Sequence, residues 1–154
     1  MSSTTLKIGD KAPDFDIQID GKPSGKLSQL WEKNNLVVYF YPKDDTPGCT
    51  AQACEFRDAY EDFKDLGAEI VGISSDSGAS HEKFKSKHRL PFILLSDEDG
   101  SMRKAFGVPS TFFILPGRVT YIIDKQGIVR HIFSSQFQST KHIEVAKNIL
   151  KEWK

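Results

Sequence analysis

The chain has 154 residues, 38% of them hydrophobic and 27% charged, with 21 Lys+Arg against 21 Asp+Glu and a formal net charge of zero. That length supports one domain spanning residues 1–154, and nothing in the charge balance points to a basic surface that tracks phosphates or anionic membranes, local patches aside. No run of about 20 apolar residues exists to span a bilayer, and residues 1–7 lack the apolar core of a secretory signal. The expectation is a cytoplasmic protein, or a chloroplast protein whose transit peptide has been removed.

In chain order, residues 14–19 alternate polar and apolar and stop at Asp20-Gly21, a strand followed by a turn. Residues 22–26 read as loop. Residues 36–41, Leu-Val-Val-Tyr-Phe-Tyr, lack alternation, as expected of a strand covered on both faces. A helix is predicted from Pro47 to about Leu66, with Gly67 as its stop. Strands follow at 68–73 and 92–95, with a helix over 79–88 between them behind serine caps, and a short helix covers 101–106. Residues 119–123 and 128–133 flank Asp124-Lys125-Gln126-Gly127 and predict a hairpin. A last helix begins near Ser139 or Thr140 and places Ile143, Ala146, Ile149, Leu150 and Trp153 on one face. This order implies an α/β fold with a mixed sheet sandwiched by helices.

Both cysteines, Cys49 and Cys54, lie just beyond a strand-to-helix junction, in a chain whose cysteine count does not read as a disulfide framework. Thr46 suits the N-cap and Pro47 the first helical position, where an N–H would be orphaned anyway. Gly48 leaves the approach to Cys49 open. Cys49 falls in the first turn, where unpartnered N–H groups and the helix dipole favour a thiolate. At about 100° per residue, Cys49 projects onto the edge of the apolar stripe of Phe56, Ala59, Tyr60, Phe63 and Leu66. Cys54 points about 140° away, nearer solvent. Five helical residues separate their α-carbons by roughly 7.5 Å, beyond the usual ~4.4–6.8 Å of a disulfide. A bond between them requires the first turns to unwind.

Pro42-x-x-x-Thr46-x-x-Cys49 resembles the active-site signature of peroxiredoxins, and Cys54, spaced C-x4-C, resembles the atypical two-cysteine subgroup called peroxiredoxin Q or bacterioferritin comigratory protein. The similarity extends from Gly9-Asp10-Lys11-Ala12-Pro13-Asp14-Phe15 through Leu94-Leu95-Ser96-Asp97 to Gly117-Arg118-Val119-Thr120-Tyr121-Ile122-Ile123-Asp124. It implies a thioredoxin-like fold with an N-terminal β-strand extension, and reduction of hydroperoxides to water and alcohols. Carried onto this chain, Cys49 is the peroxidatic nucleophile that becomes a sulfenic acid, and Cys54 resolves it into an intramolecular disulfide. Thr46 positions the peroxide, Pro42 shields the site, and Arg118 favours the thiolate and polarises the peroxide. The implied reductant is thioredoxin or a similar dithiol. No metal or organic cofactor is needed, and the subgroup favours a monomer.

Blander readings stand beside these. Cys49 also fits a small buried hydrophobe, Cys54 an incidental surface thiol with resolution by an outside thiol, and Arg118, without the resemblance, a surface ion-pair residue. His81, His88, His131 and His142 show no ligand spacing and read as surface or helix-flank residues. The basic run 83–89 reads as a solvated helix face with Phe84 turned inward. Phe112, Phe113, Ile114 and Leu115 read as core, or as a rim or docking patch over the site. Two other function classes compete with a peroxidase: a protein thiol–disulfide oxidoreductase, against which the x4 spacing weighs, and a redox sensor using the same cysteine switch.

Overall fold

The computed structural model describes residues 6–19, 22–108, 110–111, 115–135 and 138–153. Its centre is a five-stranded sheet in the order β5-β4-β3-β8-β9. The strands are β3 (Asn35–Phe40), β4 (Ala68–Ser74), β5 (Ile93–Ser96), β8 (Val119–Ile123) and β9 (Val129–Ser134). β3, β4 and β5 run parallel, while β8 is antiparallel to β3 and β9 to β8. The predicted mixed sheet is therefore present, and helices cover it on both sides.

Alternation of side chains across the sheet sorts the core into two layers. Val37, Tyr39, Tyr41, Ile70, Leu94 and Ile122 face one side, packed by α2 (Pro47–Asp58), α3 (Tyr60–Asp65) and α6 (Lys141–Glu152). Leu36, Val38, Phe40, Val71, Ile73, Tyr121 and Ile123 face the other, closed by α1 (Leu27–Trp31) and α5 (Ser101–Phe106). Two buried faces explain why the β3 sequence is apolar throughout. α4 (Gly78–His88), capped by Ser77 through its side chain to Ser80 N, buries His81 and Phe84 and leaves its lysines outward, as predicted for that run.

Several expectations are corrected. Residues 22–26 are not loop but β2 (Lys22–Lys26), paired antiparallel with β1 (Asp16–Ile19), so the N-terminal extension is a two-stranded hairpin. Polar, Pro- and Gly-containing β2 carries no strand signal of its own; the pairing with β1 imposes it. The short α1 that follows was not expected. The long helix predicted over 47–66 is two, broken at Ala59 (φ −95°, ψ 1°), where neither Gly nor Pro marks the sequence. Gly67 does end the second, at φ 75°. On α6, Ile143, Ala146 and Leu150 are buried, but Trp153, at the C-cap, is 36% exposed. Short β6 (Ser110–Thr111) and β7 (Leu115–Pro116) pair antiparallel. Phe112, Phe113 and Ile114 lie outside the described residues.

The β8–β9 turn forms as predicted, with Gly127 N donating to Asp124 O and Asp124 Oδ1 accepting from Gln126 N and Ile128 N. Gly127 is doubly required there: its φ is 80°, and a Cβ would sit 2.7 Å from the Trp31 ring. Beneath α2, Phe56 is fully buried, stacked 4.6 Å from Tyr39 and set against Phe63 and Phe92. Phe56→Ala is expected to lower unfolding stability by about 3–5 kcal/mol, measurable by urea denaturation, whereas a loss under about 1 kcal/mol would mean that α2 is anchored elsewhere.

Candidate active site

Thr46, Pro47, Gly48 and Cys49 enter α2 just beyond the C-terminal end of β3, the central strand. Cys49, third residue of the helix, is 2% exposed and lies in the core layer between α2 and the sheet. Both cysteines are free thiols in one unbroken helix. Arg118, which immediately precedes β8, is itself buried to 5% exposure. Its Nη2 donates to Cys49 Sγ at 3.4 Å and its Nη1 to Gln52 Oε1 at 2.5 Å. A surface ion-pair role for Arg118 is thus excluded. The guanidinium lies against the sulfur in a region from which water is largely absent. Gly48 makes room for it: a Cβ there would lie 3.2 Å from Arg118 Nη2.

Thr46 occupies the N-cap position with extended backbone, but its hydroxyl does not cap the helix; it donates to Lys43 O at 3.1 Å. A cap would need the hydroxyl oxygen to accept from a first-turn N–H, and no such bond is made. The hydroxyl oxygen still offers lone pairs as acceptors. Thr46 and Pro42 are both half-buried on the same loop. Gln52, one helical turn beyond Cys49 and fully buried, is a site residue that the sequence reading does not single out. Its i+3 spacing was the available signal. Gln52 Nε2 and Tyr39 OH are buried without a hydrogen-bond partner among the described residues. Burial first, and the Cys49 sulfur next, push the Tyr39 phenol well up, so it stays protonated as a donor.

Cys54 is half-buried, nearer solvent than Cys49 as expected, with its sulfur 3.9 Å from His88 Nδ1 at the end of α4. Two other histidines depart from the expected surface positions. His81 is buried, with Nδ1 2.8 Å from Asp44 Oδ2 and Nε2 2.9 Å from Leu95 O. Because a carbonyl only accepts, Nε2 donates, and one proton lies on the Nδ1–Asp44 axis. Asp44 also accepts from Tyr41 OH at 2.6 Å and Ser80 Oγ at 2.8 Å, while its own N–H donates to Asp76 Oδ2. Asp44, Asp76 and His81 come within metal-ligand reach of one another, but their facing atoms are already engaged by these bonds. The network bolts the loop before Cys49 to β4 and α4. Its partners are 32 to 37 residues apart in sequence, so spacing gave no sign of it.

His142, fully buried on α6, accepts from Thr120 Oγ1 at Nδ1 and donates from Nε2 to Ser135 O at 2.9 Å. Desolvation chiefly, with the Arg118 charge adding to it, pulls its pKa down to about 4, although the Ser135 bond opposes this. His142 is therefore neutral at physiological pH and adds no charge beside Arg118.

Residues 8–132 match the model of the AhpC/TSA family. The chain belongs to that family. Within it the resemblance to peroxiredoxin Q holds: a Sedum lineare protein named "Peroxiredoxin Q, chloroplastic" is 51% identical over 95% of this chain and 78% of its own. A rice protein of the same name is 51% identical over 93% of this chain, which spans only 66% of the rice protein's length. The crystal structure of peroxidoxin BcpB from Mycobacterium tuberculosis superposes with a TM-score of 0.89 at 35% identity, covering 97% of this chain and 99% of the other. The thioredoxin-like peroxiredoxin fold is thus established for this chain, and the described residues contain no helix long and apolar enough to cross a membrane.

The pKa of this peroxiredoxin's His142 has a consequence for stability. Its folded-state pKa lies below the unfolded value of 6.5, so the unfolded chain binds the extra proton first. Stability is unaffected well above pH 6.5 and declines as pH falls toward 4. Between pH 7.5 and pH 5 this group should cost about 2 kcal/mol. His142→Gln, which keeps a donor for Ser135 O, should lose that part of the pH dependence in paired denaturation curves; identical slopes in the two proteins would exclude His142 as the cause.

Proposed function

We propose that the protein is a thiol peroxidase reducing hydrogen peroxide and organic hydroperoxides, with Cys49 as peroxidatic sulfur and Cys54 as resolving sulfur. The observation that carries this reading is the buried Arg118 guanidinium 3.4 Å from Cys49 Sγ at an uncapped helix start. The Cys49 thiolate attacks one peroxide oxygen in line with the O–O bond. That bond breaks, the distal oxygen leaves as water or alcohol after taking a proton, and Cys49 becomes a sulfenic acid. Thr46, its proton already given to Lys43 O, accepts a hydrogen bond from the peroxide O–H and aligns it. Arg118 stabilises charge developing on the leaving oxygen. Pro42 limits water at the loop.

Resolution needs the start of α2 to open, since roughly 7.5 Å of helix rise separates the cysteine α-carbons. Cys54 sulfur then attacks Cys49 sulfur, an S–S bond forms, the S–O bond breaks and water leaves. A thioredoxin-type dithiol restores both thiols. The cycle closes within one chain, which suits a monomer acting as a single domain over residues 1–154. Sulfur carries the oxidising equivalents, so the chemistry calls for no metal or flavin. Of the two compartments expected from the sequence, the names of the plant relatives favour the chloroplast.

Stopped-flow mixing of reduced protein with peroxide, combined with mass spectrometry of quenched samples, tests the scheme. Cys49→Ser is expected to abolish peroxide consumption, and Arg118→Gln to slow Cys49 oxidation about 100-fold. Cys54→Ser should permit one oxidation event yet no turnover with thioredoxin and its reductase. Undiminished peroxide consumption by Cys49→Ser would end the proposal, and sustained turnover by Cys54→Ser would replace Cys54 with an external thiol.

A further inference from the structure

The environment of Cys54 contains chemistry that the peroxide-reducing step does not use. Its sulfur lies 3.9 Å from His88 Nδ1. The other ring nitrogen, Nε2, lies 3.4 Å from Asp45 Oδ1, and Asp45 is paired in turn with Lys87 Nζ at 3.0 Å. A carboxylate only accepts, so Nε2 carries the ring proton, and in the neutral imidazole Nδ1 presents its lone pair to the Cys54 thiol. Lys87 first, then His88, hold the Asp45 carboxyl below the usual carboxylate range, which keeps it an acceptor.

The arrangement is fixed from several sides. His88 has a side chain only 18% exposed, its ring meets Phe84 edge-on at 5.2 Å, and its carbonyl accepts from Arg57 Nη1 at 2.9 Å. Asp45 reaches the ring from a left-handed backbone conformation at φ 61°. The charged and titratable groups facing this point are Asp45 from the loop, Lys87 from α4, and Cys54 and Arg57 from α2. A nucleophile, a base and an acid that orients the base are aligned as in other activated-thiol sites.

We propose that His88, oriented by Asp45, is a catalytic base for the resolving step, taking the Cys54 proton while α2 is still folded. The proposal rests on the reading of Cys54 as the resolving thiol. The S–H proton passes to Nδ1, leaving a Cys54 thiolate beside an imidazolium that Asp45 balances. When the start of α2 opens, the thiolate donates its electron pair to the Cys49 sulfenic sulfur. The S–S bond forms and the S–O bond breaks. The departing hydroxide takes up one proton, from the imidazolium or through solvent, and leaves as water. Cys54 sulfur is oxidised by the step and Cys49 sulfur reduced, with no further reactant. Asp45 is a positioning residue, acting only through His88.

The test compares the full-length protein with His88→Asn, which retains a polar side chain but no base, and Asp45→Asn, whose asparagine tolerates the same left-handed backbone. In quenched single-turnover reactions, His88→Asn should slow Cys49–Cys54 disulfide formation about tenfold at neutral pH relative to Cys49 oxidation in the same sample, with a smaller loss for Asp45→Asn. In a Cys49→Ser background, iodoacetamide should label Cys54 about tenfold more slowly at neutral pH when His88 is replaced. The proteins should converge above about pH 9.5, where thiols ionise unaided. A purely structural contact would shift these rates equally at every pH. Equal ratios at neutral pH, with the disulfide still forming, or a pH-independent deficit, would overturn the role of His88 alone. Absence of a Cys49–Cys54 disulfide in the unsubstituted protein would instead overturn the reading of Cys54, and the base with it.

Discussion

A guanidinium held out of water against a sulfur at the start of a helix is the arrangement on which the rest of this site depends. Arg118 can reach Cys49 because β8 pairs with β3 in a register that sets Val119 opposite Phe40 and so brings residue 118 to the C-terminal end of β3, beneath α2. Gly48 leaves it room, since a Cβ there would lie 3.2 Å from Nη2 and the guanidinium would have to give by a few tenths of an ångström. Burying the charge is costly unless it is engaged, and Gln52 and Cys49 engage it from one face of the same helix. The buried donors of Gln52 and Tyr39, unpartnered among the described residues, belong to the same layer. An unmade bond of this kind costs about 1–3 kcal/mol. Two in one core layer are a concentration of unused polarity of the kind found where a fold has been shaped for chemistry rather than for stability.

The same helix that places Cys49 under Arg118 holds Cys54 out of reach. α2 is built unevenly in a way that relieves this conflict. Its first turn has no side-chain cap and no acidic residue, so it lacks contributions that stabilise a helix start by about 0.5–2 kcal/mol for a cap and about 0.3–1 kcal/mol for an acid. Further along, Phe56 is locked between Tyr39, Phe63 and Phe92. Opening can therefore consume the first turns without detaching the helix from the sheet. Low local stability at one end and strong packing at the other is how a segment unfolds in part.

Which features were legible in the sequence follows from how local their causes are. β3 and β4 were legible because burial on both faces demands an apolar run, and the β8–β9 hairpin because Asp124 and Gly127 supply turn chemistry within four residues. β2 was not, because its pairing partner and not its own composition makes it a strand. The break at Ala59 left no trace, as ψ near zero there serves tertiary needs, with Phe63 entering the core and Tyr60 OH reaching Glu69. At the site, the positions of Cys49, Thr46 and Pro47 around the helix start were readable from spacing alone. Arg118, 69 residues from Cys49 in sequence, was ambiguous until the sheet placed it. The histidines were misjudged for the same reason. His81 and His142 are buried by partners contributed from other elements, and a lone histidine on a helix pattern announces neither.

The loop between β3 and α2 ties these parts together. Asp44 and Asp45 are adjacent, yet Asp44 points into the core to meet Tyr41, Ser80 and His81, while the left-handed turn at Asp45 sends its carboxylate outward to Lys87 and His88. Thr46 follows at once and fixes its hydroxyl against Lys43. One short segment thus sets the Thr46 hydroxyl and, one residue earlier, the carboxylate that faces the His88 imidazole beside Cys54. Both aspartates fasten that segment to α4, so displacement of α4 relative to the sheet reaches both sulfurs at once. Had the two cysteines been served by separate loops, each environment could drift independently. Here three consecutive residues, Asp44, Asp45 and Thr46, lead directly into the helix that carries both sulfurs.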